Sequence, residues 1–219
     1  MLPPLVSLLF LMAIVQPARA LQLAAAERES LAGNRDVGQW LQAATIEAEA
    51  LLALGSHLHQ LGEMAEAEPA LRRAVAIYRA LPDRPVETVN AQEMLARVLV
   101  SRKQMAEAEG LLRDALAQRR ALHGKDDVSI PWAIAGLARL LDDDGRSREA
   151  LPLFAEAEAL GARKLGADSV HHAVLLQNLA RCQFRAGDFA GAQAGYRRSL
   201  AALLRLWGAD HAGVASVRI

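Results

Sequence analysis

The sequence has 219 residues, of which 53% are hydrophobic, and this is enough to bury the core of one folded domain. The 25 basic and 25 acidic residues balance each other, so the charge gives no support to a nucleic-acid partner. Aromatic residues make up only 4%, and strong helix formers such as Ala, Leu, Arg and Glu predominate, which predicts an all-α protein.

The first twenty residues have the pattern of an export signal. An apolar run from Leu5 to Val15 precedes Ala18-Arg19-Ala20, which matches the small-x-small pattern of a signal peptidase site. The run is shorter than the roughly 18 apolar residues that span a bilayer. We therefore expect residues 1–20 to be a cleaved signal peptide and the mature protein to be periplasmic or secreted. Since Met1 to Pro4 carry no Lys or Arg, a membrane anchor formed by an uncleaved segment remains the alternative.

Residues 21–41 follow the predicted signal as an Ala-rich segment with a break at Gly33-Asn34. We expect this segment to be an N-terminal helix or cap.

An internal repeat fills most of the remaining chain. The string MAEAE occurs at 64–68 and again at 105–109, and small residues recur at the same period of 41 to 42 residues. Each small residue is followed four positions later by a large apolar one and preceded thirteen positions earlier by a Leu-Gly or Leu-Ala pair. The small residues of this ladder are Ala67, Ala108, Ala150 and Ala192.

Each repeat is predicted to form a helix hairpin, because its apolar residues follow the i, i+3, i+7 spacing of one helical face. Gly62, Gly145 and Gly187 are expected in the turns inside three hairpins, and Lys103 takes this place in the other. Between repeats, Gly-x-Asp strings are expected to end one helix and cap the next. Pro69 and Pro152 are expected in the first turns of second helices, where proline is tolerated.

The Leu-Gly and Leu-Ala pairs, the ladder of small residues and the strings LGAD at 165–168 and WGADH at 207–211 resemble the tetratricopeptide repeat (TPR) family. The variety with about 42 residues per repeat, seen in kinesin light chains, is the most similar, and the stretch 178–200 matches it best. HEAT and armadillo arrays have overlapping periods but fit the small residues less well.

This resemblance implies a right-handed α-solenoid of about four helix-turn-helix repeats over residues 42–211. The repeat boundaries are predicted at about 42–84, 85–127, 128–169 and 170–211. Residues 212–219 are expected to be a tail or the start of a truncated repeat.

No motif with a catalytic mechanism is present, so we expect a protein that is not an enzyme and binds no cofactor or metal. Asp142, Asp143 and Asp144 are interpreted as a solvated turn rather than a cation site, because hard-cation loops space their oxygen ligands further apart. The single cysteine, Cys182, excludes an intramolecular disulfide and is expected to be a small buried residue.

In the TPR family the first helix of each repeat lines a concave groove. Carried onto this sequence, the resemblance places Arg97, Arg139 and Arg181 one repeat apart, as a column along that groove. The arginines could bind carboxylates in a bidentate manner, beside apolar anchors. The alternative is that they only make surface ion pairs, with Glu93, Asp142 and Asp143 as partners. The predicted protein-binding residues are Arg97, Arg139, Arg181, Trp132, Phe184, Arg185, Glu93, Gln177 and Asn90.

The resemblance therefore implies a scaffold or adaptor that binds a protein or peptide segment, either acidic or with a free C-terminal carboxylate. Two alternatives remain open. The chain could self-assemble through its C-terminal hairpin as a homo-oligomer, or it could be an accessory component of a cell-envelope or secretion complex.

Overall fold

A computed structural model describes residues 37–81, 83–124 and 127–207. The predicted signal peptide, most of the segment 21–41 and the tail 212–219 lie outside the described residues. Within them the structure contains only α-helices and the turns that join them. No described helix is long and apolar enough to span a membrane.

The described helices form four hairpins in chain order, which confirms the all-α prediction. Their bounds are α1 Val37–Leu61, α2 Met64–Ala80, α3 Pro85–Ser101, α4 Met105–His123, α5 Ile130–Asp143, α6 Ser147–Leu165, α7 Val170–Arg185 and α8 Phe189–Trp207. α1 begins five residues before the predicted start of the repeats at residue 42.

The chain divides into two compact units, and the boundary in the sequence lies within α4, between Leu111 and Leu112. In the first unit α2 packs between α1 and α3, and α1 also touches α3. In the second unit α6 packs on α5 and α7, α7 packs on α8, and α5 also touches α7. First helices of consecutive hairpins therefore lie side by side within each unit.

The repeating small residues allow this close packing. Ala67, Ala108 and Ala150 are fully buried, and so are the small partners of the Leu-Ala pairs. At Gly55, the corresponding position of the first hairpin, a β-carbon would lie 2.4 Å from Cγ of Leu71 on α2. Only a residue without a side chain fits there, which explains the Leu-Gly pair in this hairpin.

Acidic side chains buried in the first unit are paired with arginines of their own helix or of a neighbouring helix. Glu47 of α1 forms an ion pair with Arg73 of α2. Glu68 of α2 accepts from Arg72, at 2.8 Å, and pairs with Arg102 at the end of α3, at 2.7 Å. The ion pairs of Glu47 and Glu68 join α1 to α2 and α2 to the end of α3.

The turns inside the hairpins share one backbone conformation. Gly62, Gly145 and Gly187 have φ between 80° and 88°, as expected for glycines that end a helix. Lys103 occupies the same place with φ of 63°, and it keeps the same hydrogen bond, from the Gln104 N–H to the Leu99 carbonyl at 2.9 Å. The turn therefore forms even where a side chain makes the left-handed conformation unfavourable.

We expect Lys103→Gly to raise the free energy of unfolding by about 1 kcal/mol, because glycine adopts positive φ without steric strain. Urea unfolding followed by circular dichroism measures this change. Lys103→Ala is the matched control and should give no such gain, since alanine keeps the β-carbon. Equal stabilities of the two variants would contradict the prediction.

Both interior prolines lie deeper in their helices than predicted. Pro69 and Pro152 lie inside α2 and α6, five residues after Met64 and Ser147, and not in the first turn. Each proline therefore removes a hydrogen bond to the carbonyl four residues earlier. The residues that carry these carbonyls, Ala65 and Arg148, are exposed, so water can satisfy the freed oxygen atoms.

Cys182 is fully buried in α7, as predicted, and its thiol lies 3.4 Å from the carbonyl oxygen of Ser147. Burial, followed by the negative charge of Asp142, raises the pKa of the Cys182 thiol to about 12. Since the thiolate is the reactive form, the side chain is a packing residue rather than a reactive group.

We expect iodoacetamide at pH 8 to modify Cys182 at least about a hundredfold more slowly in the native protein than in urea, because burial removes both access and thiolate. Mass spectrometry of timed samples measures the two rates. The control is Cys182→Ala combined with Ser101→Cys, which moves the cysteine to an exposed position. Native labelling of Cys182 at the rate of this control would contradict the prediction.

Candidate functional site

The first helices of the second unit, α5 and α7, lie side by side and are joined at both ends. Near their N-termini, the rings of Trp132 and His171 meet edge to face with centroids 5.7 Å apart. Near their C-termini, Arg185 of α7 reaches Asp142 and Asp143 of α5. Side chains at helical spacing between these contacts share one surface. We call this surface the α5–α7 face and define it by Trp132, Arg139, Asp143, His171, Val174, Arg181 and Arg185.

Asp142 lies under the C-terminal end of the α5–α7 face, and its side chain is fully buried. Its Oδ1 accepts a hydrogen bond from the Ser147 hydroxyl at 2.6 Å, and its Oδ2 accepts from Nη1 of Arg185 at 3.0 Å. The prediction of a solvated acidic turn is therefore right for the exposed Asp143 and Asp144 but wrong for Asp142. A buried carboxylate needs such partners, because the loss of hydration would otherwise disfavour its charge.

Arg185 is held by two carboxylates. Its Nη1 lies 3.0 Å from Oδ2 of Asp142, 3.1 Å from Oδ1 of Asp143 and 3.2 Å from the Asp142 carbonyl oxygen. The hydrogen bond with Asp143, together with the charge of Asp142, raises the pKa of Arg185 above its ordinary value. The side chain joins the C-terminal ends of α5 and α7 and brings little net charge to the surface.

Arg181 has a different environment from Arg185, although both arginines are near Asp142. Its Nε lies 3.9 Å from Oδ2 of Asp142, which is close enough for attraction but too far for a hydrogen bond. Within the described residues, Nε and Nη2 of Arg181 are buried atoms without a hydrogen-bond partner. These two N–H groups are covered by protein, but the side chain as a whole is 39% exposed, so a ligand reaches the Arg181 guanidinium through its exposed part.

The other predicted residues of the second unit lie in varied surroundings. Arg139 is exposed on the α5–α7 face, and Trp132 is 36% exposed at its N-terminal end. Phe184 is 59% exposed and packs edge to face against Phe189 of α8, with centroids 5.3 Å apart. The Gln177 amide instead donates to the Ser199 hydroxyl of α8 at 3.1 Å, so it joins α7 to α8.

The predicted residues of the first unit lie on α3. Asn90 and Arg97 are exposed, and Glu93 is partly buried. They belong to a separate compact unit, so the column of Arg97, Arg139 and Arg181 stays a prediction.

Sequence reasoning missed two contributors to the site. His171 lies three residues before Val174, a spacing that would have placed it on the same helical face. Ser147, which binds Asp142, left no signal in the sequence, because this contact depends on how α6 follows the turn after α5.

Comparison with known proteins identifies the repeat. A family model described as tetratricopeptide repeat matches residues 46–121 and 87–162, which together span more than half of the chain. No curated protein matches the sequence.

Solved structures agree with the family model. BtubC (BKLC) from P. vanneervenii is 19% identical with a TM-score of 0.69, over 92% of this chain and 80% of that one. A putative kinesin light chain from Podospora anserina with nearly identical TPR-like repeats is 22% identical with a TM-score of 0.65, over 94% and 96%. YrrB, described as a TPR protein with an unusual peptide-binding site, is 18% identical with a TM-score of 0.59, over 97% and 89%. At these identities the likeness shows the fold, an α-solenoid of helical repeats.

Proposed function

The chain belongs to the tetratricopeptide repeat family, and on this premise we propose that it is a non-enzymatic scaffold whose α5–α7 face binds a segment of a partner protein. The observation that carries the proposal is the Arg181 guanidinium, whose side chain is 39% exposed and whose Nε lies 3.9 Å from Oδ2 of Asp142, beyond hydrogen-bond distance. A carboxylate, from an acidic side chain or a free C-terminus, forms the strongest hydrogen bonds with such a guanidinium.

The rest of the α5–α7 face suits such a segment. Arg139 adds positive charge, and the exposed edges of Trp132 and Val174, each 36% exposed, offer apolar contact beside it. Phe184 supplies a further apolar anchor at the C-terminal end of α7. Among the similar structures, YrrB has a peptide-binding site and the Rap conjugation regulator of plasmid pLS20 is in complex with the Phr* peptide, which supports a peptide ligand. Asn90, Glu93 and Arg97 are proposed to bind through the first unit.

We expect Arg139→Ala combined with Arg181→Ala to reduce partner recovery at least about tenfold when tagged protein is purified from its native host, because two charge-assisted contacts are lost. Quantitative mass spectrometry of the bound proteins measures the recovery. The matched control is Arg148→Ala combined with Arg163→Ala, which removes two exposed arginines from α6. Recovery of the same partners in the same amounts by both variants would contradict the proposed site.

Self-assembly is the second candidate, and the surface of α8 favours it. Leu204, Leu206 and Trp207 are 37%, 43% and 38% exposed, which is unusual for large apolar side chains so close together. A mass that rises with concentration in sedimentation, and falls again in Leu204→Gln combined with Leu206→Gln, would favour this candidate. An accessory role in a cell-envelope or secretion complex would instead show as a stoichiometric partner in the same purification.

Export is proposed on the pattern of residues 1–20. N-terminal sequencing of the protein from a fractionated native host is the test. A start at Leu21 in the soluble exported fraction would support a periplasmic or secreted scaffold. An intact Met1 in the membrane fraction would support an uncleaved anchor instead.

A further inference from the structure

We infer that Asp142 is the positioning residue of the candidate site, and that it gives Arg181 and Arg185 different roles. Arg185 is the clamp that holds α7 to α5, whereas Arg181 is held in place with a partly exposed guanidinium that a ligand can reach. This inference rests on the proposed function only for the identity of the ligand, because the positioning itself is a property of the free protein.

Asp142 is held in place by burial and by a hydrogen bond. Its carboxylate lies at the end of α5 with no exposed surface, and the hydrogen bond from Ser147 at 2.6 Å fixes Oδ1. Oδ2 therefore has a defined position between the two arginines of α7. A buried, hydrogen-bonded charge directs its neighbours more strictly than a surface charge, because the surrounding protein screens it less than water does.

Arg185 and Arg181 share this carboxylate unequally. Arg185 forms the hydrogen bond to Oδ2 and also contacts Asp143, so two negative charges surround it. Arg181 approaches the same Oδ2 only to 3.9 Å, and two of its nitrogen atoms stay without hydrogen-bond acceptors among the described residues. Since Asp142 attracts Arg181 without binding its N–H groups, it orients the guanidinium and leaves it able to bind.

Substitutions of Asp142 and Asp143 distinguish a positioning role from a role of charge alone. Asp142→Asn and Asp143→Asn each remove one negative charge from the same cluster. If Asp142 acted only through its charge, both substitutions would strengthen the binding of an acidic ligand. If Asp142 positions Arg181, Asp142→Asn weakens binding although the site becomes more positive, and Asp143→Asn does not. The opposite signs distinguish a positioning role from an electrostatic one.

The test begins with the free protein. Side-chain ¹⁵N NMR reports the Nε–H signals of Arg181 and Arg185, which Arg181→Lys and Arg185→Lys assign. We expect the Arg181 signal to be dispersed in the wild type, to move to the position of a mobile arginine in Asp142→Asn, and to stay in place in Asp143→Asn. An Arg181 signal that is unchanged in Asp142→Asn overturns the inference. If Asp142→Asn does not fold, Ser147→Ala replaces it, with the same expected direction.

Binding is then measured with a fluorescein-labelled hexaglutamate peptide, with either a free or an amidated C-terminus, by fluorescence anisotropy. We expect Asp142→Asn to weaken binding about tenfold and Asp143→Asn to strengthen it, because the second substitution removes a negative charge without moving Arg181. Stronger binding by Asp142→Asn overturns the positioning role. Failure of the wild type to bind either peptide would contradict the acidic ligand of the proposed function, while the NMR result would still decide the role of Asp142.

Discussion

We expect Phe154→Ala to lower the free energy of unfolding by about 3–5 kcal/mol, which is the largest effect predicted for a single side chain of the second unit. Phe154 is among the largest side chains without exposed surface. It lies in α6, which packs on both helices of the α5–α7 face. Truncation removes its apolar contacts and leaves a cavity that the neighbouring helices fill only in part. Urea unfolding monitored by circular dichroism measures the loss.

Phe189→Ala is the matched control for this prediction. Phe189 is 63% exposed, so the same truncation should cost less than about 1 kcal/mol, mainly through the lost contact with Phe184. Similar losses in the two variants would show that α6 does not form the core of its unit. Such a result would also remove the support for the α5–α7 face.

His172→Ala should lower the free energy of unfolding by about 2–4 kcal/mol. The ring is 3% exposed, and its Nδ1 lies 2.7 Å from the Ala167 carbonyl oxygen while its Nε2 lies 2.9 Å from Oε1 of Glu158. Each ring nitrogen therefore has an oxygen atom within hydrogen-bond distance, one on the backbone before α7 and one on α6. Removal of the ring deprives the Ala167 carbonyl oxygen of this partner and leaves Glu158 with Arg198, at 3.0 Å.

The neighbouring histidine provides the control. His171 is exposed and contacts the edge of Trp132, so His171→Ala should cost less than about 1 kcal/mol. A further variant, His172→Gln, keeps one donor and should give an intermediate loss. A loss in His172→Ala no larger than that in His171→Ala would contradict the role of the network in joining α6 to α7.

Much of the fold could be predicted from the sequence, because its determinants are local or repeat at a fixed spacing. The small residues that recur every 41 to 42 positions are the buried ones, and the glycines expected in the turns have positive φ. Lys103 fits the same turn because its place in the repeat, rather than its residue type, decides the backbone conformation. The prediction placed Pro69 and Pro152 too close to the N-termini of their helices, since the spacing of apolar residues does not fix where a helix begins.

The candidate site could be predicted only as a set of positions. The repeat places Arg181 and Arg185 on the same helix near the same acidic turn, and nothing in the pattern distinguishes them. Gln177 also occupies a groove position by resemblance, yet its amide bonds to Ser199 because α8 packs within its reach. Which side chain is free to bind depends on these contacts between helices.

The sequence by itself determined the helix hairpins, their turns and the faces that are buried, because period, small residues and glycines act over a few neighbouring positions. Only the tertiary structure decided the state of each charge. Asp142 and Arg185 are 43 positions apart, and the packing of α7 against α5 brings them to 3.0 Å and buries the carboxylate. Because the carboxylate is buried, it needs defined hydrogen-bond partners, and Arg185 is one of them. Arg185 is therefore structural, whereas Arg181 can bind a ligand. No pattern of residue types in the sequence contains this difference.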